Sequence, residues 1–154
     1  MKLFEGKVFD VERRDGMDVV VTGPAVAVVP VDTDGVLTLV RQARAPTGGR
    51  LLELPAGRLE PGESPVETAK RELIEETGLR GGDWVELAAV YATPGICDEK
   101  IHIFLATGLE HGDAQPEDGE DLELVRVPVE DIPSLLPDLE DSKTLAGLLL
   151  YLHL

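Results

Sequence analysis

The chain has few of the features that mark secreted, membrane-spanning or disulfide-bonded proteins. It contains a single cysteine, Cys97, so an internal disulfide bond is excluded. It has no apolar run of about eighteen residues, which a transmembrane helix requires. Its first residues, MKLFEGKVFDVERRDG, lack the apolar segment of a secretory signal. We therefore expect a cytoplasmic protein that does not associate with a membrane.

Positive charge is also scarce. The chain has 14 lysines and arginines and 30 aspartates and glutamates, which gives a formal net charge of −16. A chain of this charge has no broad basic face for nucleic acid. Its field repels anionic substrates at long range, so such a substrate would need local arginines or bound metal ions. The hydrophobic content of 43% is typical of globular proteins, and 154 residues fit a single domain spanning 1–154.

Hydrophobic patterning predicts many strands and few helices. The apolar run AVAVVPVD and the alternating run VLTLVRQAR, separated by the turn TDG, are typical of a β-hairpin. We predict a short strand in RLLELPAG that stops at Pro55, and helices in EDIPSLL and DSKTLAGLLLYLHL. Because helices must cover a sheet of this size, the predicted fold class is α/β, a sandwich with a mixed β-sheet. Further predicted strands are GKVFDVERR, MDVVVTG, WVELAAVYATPG, IHIFLATGL and LELVRVPV.

The strongest helix signal covers residues 65–77. Ser64 is the predicted N-cap, Pro65 suits the first helical position, and Glu67 completes a capping box. Gly78 supplies the C-terminal stop. We also expect Arg71 to pair with Glu67 and Glu75, one turn away on either side.

Three glutamates share one face of this helix. At about 100° of rotation per residue, Glu72, Glu75 and Glu76 fall within an arc of roughly that width. The repulsion between Glu72 and Glu76 costs only about 0.2–0.5 kcal/mol in an exposed helix, so a solvated charged face would be tolerated. Carboxylates beside a free backbone carbonyl are also the ligand set of magnesium or manganese. The spacing by itself leaves both interpretations open, a metal site and a solvent-exposed face.

The surrounding residues favour the metal site through a resemblance. The segment GRLEPGESPVETAKRELIEETGL matches the pattern G-x5-E-x7-R-E-U-x-E-E-x-G-U, in which U is aliphatic, at every fixed position. This pattern is the Nudix box, so the chain resembles the Nudix hydrolases. The resemblance implies a Nudix-type α/β/α sandwich that hydrolyses a nucleoside diphosphate linked to another group. The matching residues are Gly57, Glu63, Arg71, Glu72, Leu73, Glu75, Glu76, Gly78 and Leu79.

The resemblance also implies roles for individual residues. Arg71 would orient the glutamates through salt bridges, Glu63 would brace the loop before the helix, and Glu75 would support catalysis as well as binding metal. Divalent cations, Mg²⁺ or alternatively Mn²⁺ or another ion, would neutralise the diphosphate oxygens and lower the pKa of bound water. The implied metal ligands are the carboxylates of Glu72, Glu75 and Glu76 and the carbonyl of Ala56.

The flanking segments resemble one branch of the family, the ADP-ribose pyrophosphatases. The similar segments are VRQAR, LELPAG, TPGICDEK and DSKTLAGLLLYL. The resemblance implies a small-molecule nucleoside diphosphate substrate, ADP-ribose, cleaved to AMP and ribose 5-phosphate. It also implies a homodimer. Other nucleoside diphosphate derivatives, such as a nucleotide sugar or a dinucleotide, remain the nearest alternative.

Substrate contacts are expected on both sides of the box. Arg44 can grip phosphate through two N–H groups, although a plain surface arginine is an equal alternative. Arg41 is a secondary candidate for a phosphate contact, or it has a structural role. Pro94 and Gly95 would shape a loop over the ribose, or form an ordinary turn. Glu99 would either meet the site or pair with its neighbour Lys100.

A general base must activate the attacking water, and in the resembling branch it is a glutamate on a loop after the box. Glu120 fits best, because it stands in a G-E-D-aliphatic run ahead of a strand. The alternative is an acidic surface loop without a catalytic role. The other carboxylate candidates for the base are Glu117, Asp118, Asp121 and Glu99. The weaker candidates are His102 and His111.

Two functions of other classes compete with the enzyme. A non-catalytic Nudix module that binds a nucleotide would not need the complete set of glutamates that this chain retains. A calcium-binding acidic protein would need a D-x-D-x-D-G loop, which the sequence lacks.

Overall fold

The computed structural model describes residues 1–115 and 121–154, which form ten strands and three α-helices. The helices are α1 (Pro65–Thr77), α2 (Ile132–Leu135) and α3 (Ser142–Leu152). The strands are β1 (Lys2–Glu5), β2 (Asp10–Arg14), β3 (Met17–Val21), β4 (Ala25–Asp32), β5 (Val36–Arg44), β6 (Gly49–Glu53), β7 (Ala56–Arg58), β8 (Arg80–Tyr91), β9 (Lys100–Glu110) and β10 (Glu123–Pro128).

Seven strands form one mixed sheet in the order β10-β5-β4-β9-β8, with β6 paired to β5 and β7 paired to β4. The β4–β9 pair is parallel and the other pairs are antiparallel. Strand β4 is buried along its whole length, as its continuous apolar run predicts. The predicted α/β class with a mixed sheet is confirmed.

Alternate residues of β4 supply two separate cores, because successive side chains of a strand point to opposite faces. Ala27 and Val29 pack on the face covered by α2 and α3, where Ile132 and Leu148 are fully buried. Val26 and Val28 pack on the other face, against Ala69 and Leu73 of α1. The sheet is therefore sandwiched between helices, and α1 lies alone on the face that carries the glutamates.

The site region begins where β4 and β5 diverge. These strands share one register pair, Val31↔Leu37, at the turn of the predicted hairpin. Beyond this pair, β4 and β5 separate and leave a gap between them. Strand β6 lies in the gap and pairs with β5, whose other edge pairs with β10. Strand β7 also lies in the gap and pairs with β4, whose other edge pairs with β9. The predicted strand ends at Glu53, just before Pro55, as expected. The prediction did not include β7, a separate short strand that begins at Ala56 and pairs with β4 instead of β5.

Helix α1 has the predicted ends. The backbone N–H of Ser64 donates to Oε2 of Glu67 at 2.9 Å within a capping box, and Pro65 occupies the first turn. Gly78 ends the helix with φ of 75°. A Cβ at Gly78 would lie 2.2 Å from the carbonyl oxygen of Gly112, so both the backbone conformation and the close packing require glycine.

The first 21 residues form a second, three-stranded antiparallel sheet, β1-β2-β3. The alternating run GKVFDVERR predicts a strand from Gly6, whereas the corresponding strand β2 begins at Asp10. Strand β1 was not predicted, because it is exposed and too short to show a pattern. The sheet is joined to the loop before β9 by hydrogen bonds from Val20 N to Ile96 O and from Asp98 N to Val20 O. Within the described residues, none of the helices combines the length and the apolar character needed to span a bilayer.

Candidate active site

Arg71 joins three glutamates of the α1 region. Its Nε and Nη2 donate to the two oxygens of Glu63 at 2.9 and 3.1 Å, and its Nη1 donates to Glu72 at 2.9 Å and to Glu75 at 3.0 Å. The expected contact with Glu75 is present, but the carboxylate of Glu67 accepts hydrogen bonds from Ser64 instead. One guanidinium therefore fixes two carboxylates of the helix and ties them to the preceding loop.

Glu63 is the carboxylate that Arg71 holds most firmly. The hydrogen bonds from Arg71, and then that from the hydroxyl of Thr68 at 2.7 Å, lower the pKa of Glu63 to about 2 from an ordinary value of 4.5. Hydrogen bonds to Glu63 also raise the pKa of Arg71 above its ordinary value. Both groups stay charged over the whole neutral range, so the loop remains attached to the helix.

Replacing Glu63 with glutamine should cost stability in a pH-dependent way. Because the folded pKa is depressed, the ionised carboxylate stabilises the protein above about pH 4.5 and loses this contribution as the pH falls towards 2. The free energy of unfolding, measured with urea at several pH values, should differ most between wild type and Glu63→Gln at neutral pH, and the difference should shrink below pH 4.5. A difference that stays constant down to pH 2 would contradict the assignment.

Gly57 lets the carboxylate of Glu72 reach the backbone of β7. A Cβ built at Gly57 would lie 2.0 Å from Cδ and 2.1 Å from Oε1 of Glu72. Real Cβ atoms essentially never approach heavy atoms this closely, and the neighbour here is the functional end of Glu72. The carboxylate of Glu72 occupies the space that a side chain at position 57 would need. This explains why the pattern has glycine there.

Replacing Gly57 with alanine should displace Glu72 by more than 1 Å and lower kcat by about 100-fold, the effect typical of a misplacement of that size. The cost in stability should be small, because the atoms that must move are the end of a flexible side chain. The control is Gly49→Ala, because a Cβ at Gly49 meets no atom within 4 Å. Both variants would be compared by steady-state kinetics and thermal unfolding; equal kcat values would contradict the role given to Gly57.

Glu76 lies beside the backbone of β7 and is buried, with 6% of its surface exposed. Its Oε2 accepts a hydrogen bond from the backbone N–H of Ala56 at 3.3 Å. In the β4–β7 ladder, Val28 N donates to Pro55 O and Leu59 N donates to Pro24 O. Because hydrogen-bonded and non-hydrogen-bonded pairs alternate, the N–H and the carbonyl of Ala56 both point away from β4. The Ala56 carbonyl is thus available on the side of Glu76.

A cavity of about 400 Å³ opens next to these carboxylates. Arg44 lines it and donates from Nε and Nη2 to the two oxygens of Glu53 at 2.7 and 2.8 Å. The cavity reaches the box itself through Gly57 and Arg58. Arg41, the secondary candidate, lies outside this cavity in an ion pair with Glu123 at 3.2 Å. The candidate phosphate contact therefore shares its cavity with Ala56 and Gly57, the two β7 residues that lie against Glu76 and Glu72 of α1.

The loop before β9 supplies a further wall. Glu99 lines the cavity, whereas Pro94 and Gly95 lie in an exposed turn of this loop. The turn is closed by hydrogen bonds from Ile96 N and Cys97 N to Thr93 O. The roles predicted for Pro94 and Gly95 stay predictions.

The predicted base, Glu120, lies outside the described residues, as do Glu117 and Asp118. On one side of this gap, Gln115 N donates to the carbonyl of Glu75 in α1 at 2.9 Å. On the other side, Asp121 forms an ion pair with Arg50. Gln115, the last described residue before this segment, is therefore held beside helix α1.

The two histidine candidates are occupied elsewhere. The Nδ1 of His102 is hydrogen-bonded to Oε1 of Glu86 at 2.7 Å on the strand pair β8–β9. His111 contacts the buried carboxylate of Asp32 at 3.0 Å, at the end of β4 that is opposite to Ala25 and the cavity. These contacts favour structural roles for both side chains.

A family model for the NUDIX domain matches residues 21–147 of the chain. The chain belongs to the NUDIX domain family. An ADP-ribose pyrophosphatase from Bacillus subtilis (strain 168) is 39% identical over 156 residues, which cover 93% of this chain and 84% of that protein. A methanol dehydrogenase activator from Bacillus methanolicus is 33% identical with the same coverage of 93% and 84%. A crystal structure of an ADP compounds hydrolase superposes with a TM-score of 0.83 at 28% identity, covering 99% of this chain and 89% of that one.

Nudix hydrolases use divalent cations, and the donor set fits such an ion. In residues 1–115 and 121–154, no group of three His, Cys, Asp or Glu side chains is already arranged to hold a metal. Mg²⁺, however, is typically held by one or two carboxylates together with water and substrate phosphates. Glu72 and Glu76 with the Ala56 carbonyl supply that number of hard oxygen ligands. Glu72 and Glu75 each accept one hydrogen bond from Arg71 through a single carboxylate oxygen.

Two residues of this Nudix site were not predicted from the sequence. Glu53 is completely buried in β6, and Lys143 of α3 donates to it at 2.6 Å. A glutamate inside the apolar run LLELP is a usable signal, because a buried carboxylate requires cationic or hydrogen-bonding partners. The identity of those partners depends on contacts between distant parts of the chain.

Proposed function

We propose that this Nudix protein hydrolyses ADP-ribose to AMP and ribose 5-phosphate with Mg²⁺, or with Mn²⁺ or another divalent cation. The observation that carries the proposal is that Gly57 lines the same cavity as Arg44 and also lies against the carboxylate of Glu72 on helix α1. The similarity to an ADP-ribose pyrophosphatase and to an ADP compounds hydrolase supports the choice of substrate.

Each part of the site then has a task. Arg44 binds a phosphate of the substrate through its guanidinium, and Pro94 and Gly95 shape the loop over the ribose. Glu72, Glu75, Glu76 and the carbonyl of Ala56 would hold divalent cations. When bound, these cations neutralise the diphosphate oxygens and lower the pKa of water.

The reaction itself is a substitution at phosphorus. Arg71 acts by keeping Glu72 and Glu75 in place. Glu120 accepts a proton from the attacking water. The water oxygen forms a bond to one phosphorus while the bond from that phosphorus to the bridging oxygen breaks. The bridging oxygen leaves with the second phosphate, which yields AMP and ribose 5-phosphate.

The remaining expectations belong to the same proposal: one Nudix domain over 1–154, a cytoplasmic location and a homodimer. Apolar side chains of the N-terminal sheet and of the β1–β2 connection support the dimer, because Phe4, Val8, Phe9 and Met17 are 42–62% exposed. Analytical ultracentrifugation should give the mass of two chains at micromolar concentration. A single-chain mass would contradict the homodimer.

The substrate is tested with a panel of ADP-ribose, nucleotide sugars and dinucleotides incubated with Mg²⁺. We expect the highest kcat/KM for ADP-ribose, with AMP and ribose 5-phosphate as products in equal amounts. A higher kcat/KM for another member would overturn the substrate assignment alone. Absence of turnover for every member would overturn the enzyme and favour a nucleotide-binding module.

A further inference from the structure

A buried ion cluster connects the terminal helix to the candidate phosphate contact. Glu53 is completely buried, and its carboxylate accepts hydrogen bonds from Arg44 on one side and from Lys143 on the other. Burial alone would raise the pKa of Glu53, but the hydrogen bonds from Arg44 and Lys143 outweigh burial and lower it. Glu53 is therefore ionised at neutral pH and needs both cations.

Asp141 completes the cluster. It is the N-cap of α3, where its Oδ2 accepts from Thr144 N at 2.9 Å, and its Oδ1 accepts from Lys143 at 2.9 Å. The charges of Arg44 and Lys143 thus balance those of Glu53 and Asp141. All four residues line the cavity of about 400 Å³.

The arrangement leaves Arg44 usable by a ligand. Its side chain is 41% exposed, whereas that of Lys143 is only 14% exposed. Two of the five N–H groups of the guanidinium donate to Glu53, and these two hydrogen bonds fix the orientation of the guanidinium plane. If Lys143 were absent, Arg44 would be the remaining cation hydrogen-bonded to Glu53 among the residues that the structure describes. The charges of Arg44, Glu53 and Asp141 would then sum to −1 at the surface that meets an anionic substrate.

We propose that Lys143 is a positioning residue for substrate binding, which acts through Glu53 to orient Arg44 and to keep the phosphate-binding side of the cavity from becoming anionic. The proposal rests on the function proposed above. It gives α3 a task in the site in addition to covering the sheet. It also predicts that the two charged residues at the start of α3 affect affinity in opposite directions.

The test measures the Kd of ADP-ribose by calorimetry in EDTA, where turnover does not interfere, and KM and kcat with Mg²⁺. Lys143→Met should weaken binding and raise KM by about 10-fold, the range of effects for residues that orient a ligand-binding group, while kcat changes less than about threefold. Lys143→Arg keeps the charge and should restore most of the affinity. Lys70→Met, an equal change of charge on the exposed side of α1, should leave Kd unchanged.

Asp141→Asn provides an independent variant. Asparagine is as good an N-cap as aspartate, so its one oxygen can keep the hydrogen bond from Thr144 N while one negative charge at the cavity is lost. Its amide cannot accept from Lys143, which keeps its contact with Glu53. Binding should tighten by about threefold. This result can be obtained even if Lys143→Met does not fold.

The outcomes separate the two proposals. If wild type binds ADP-ribose and Lys143→Met binds it equally tightly, or Asp141→Asn binds it more weakly, the role of Lys143 is wrong and the proposed function stands. If wild type neither binds ADP-ribose in EDTA nor turns it over with Mg²⁺, both fail. A parallel loss of kcat and affinity in Lys143→Met and Lys143→Arg would mean a merely structural contact.

Discussion

Replacing Glu76 with glutamine should lower kcat by at least about 1,000-fold and leave the fold intact. Mutation of a residue that only orients a metal ligand typically lowers metal affinity or activity by 10–100-fold, so loss of a ligand itself should lower activity more. Glutamine has the size of glutamate, and its amide oxygen can still accept the hydrogen bond from Ala56 N. The charge that attracts the cation is lost, however. Initial rates with ADP-ribose and Mg²⁺, together with thermal unfolding curves, measure both effects.

The matched control is Glu67→Gln, which makes the same chemical change on the same helix. Glu67 accepts hydrogen bonds from Ser64 in the capping box, and glutamine is also accepted at that position. Its kcat should therefore stay within about threefold of wild type. If both variants lost activity to the same extent, the loss would reflect the helix as a whole and the assignment of Glu76 would fail.

Replacing Glu120 with glutamine should lower kcat by about 1,000-fold, within the range typical of general acid–base catalysis, and change KM much less. The reason is that a base acts in the transition state, whereas the ground-state contacts through Arg44 are retained. Raising the pH should partly restore kcat, because hydroxide replaces the missing base. Steady-state kinetics between pH 7 and about pH 10 measure both effects.

Glu117→Gln is the control for this variant, since it changes an equivalent carboxylate in the same acidic segment. We expect its kcat to remain near that of wild type. An unchanged kcat in Glu120→Gln, or a larger loss in Glu117→Gln, would mean that another residue of the segment is the base.

Features decided by neighbouring residues could be predicted from the sequence. The bounds of α1 follow from Ser64, Pro65 and Gly78, whose local conformations begin and end the helix. The buried strand β4 follows from its unbroken apolar run. The box pattern identifies the family because its residues are close in the chain, and the family is confirmed over residues 21–147.

Features that depend on distant contacts could not be predicted. The switch from β6 to β7 near Pro55 is caused by the divergence of β4 and β5, which no local pattern shows. Lys143 and Glu53 are 90 residues apart and meet because α3 packs against the sheet. The contact of Arg71 with Glu67 was a wrong prediction, because the capping box competes for that carboxylate.

The measurement that tests the central claim most directly is a titration of Mn²⁺ into the protein, followed by the electron paramagnetic resonance signal of free Mn²⁺. The claim is that the glutamates of the 57–79 segment hold divalent cations. Wild type should bind Mn²⁺ that Mg²⁺ displaces, and Glu76→Gln should bind it at least about 10-fold more weakly. Equal Mn²⁺ affinity in the two proteins would contradict the account.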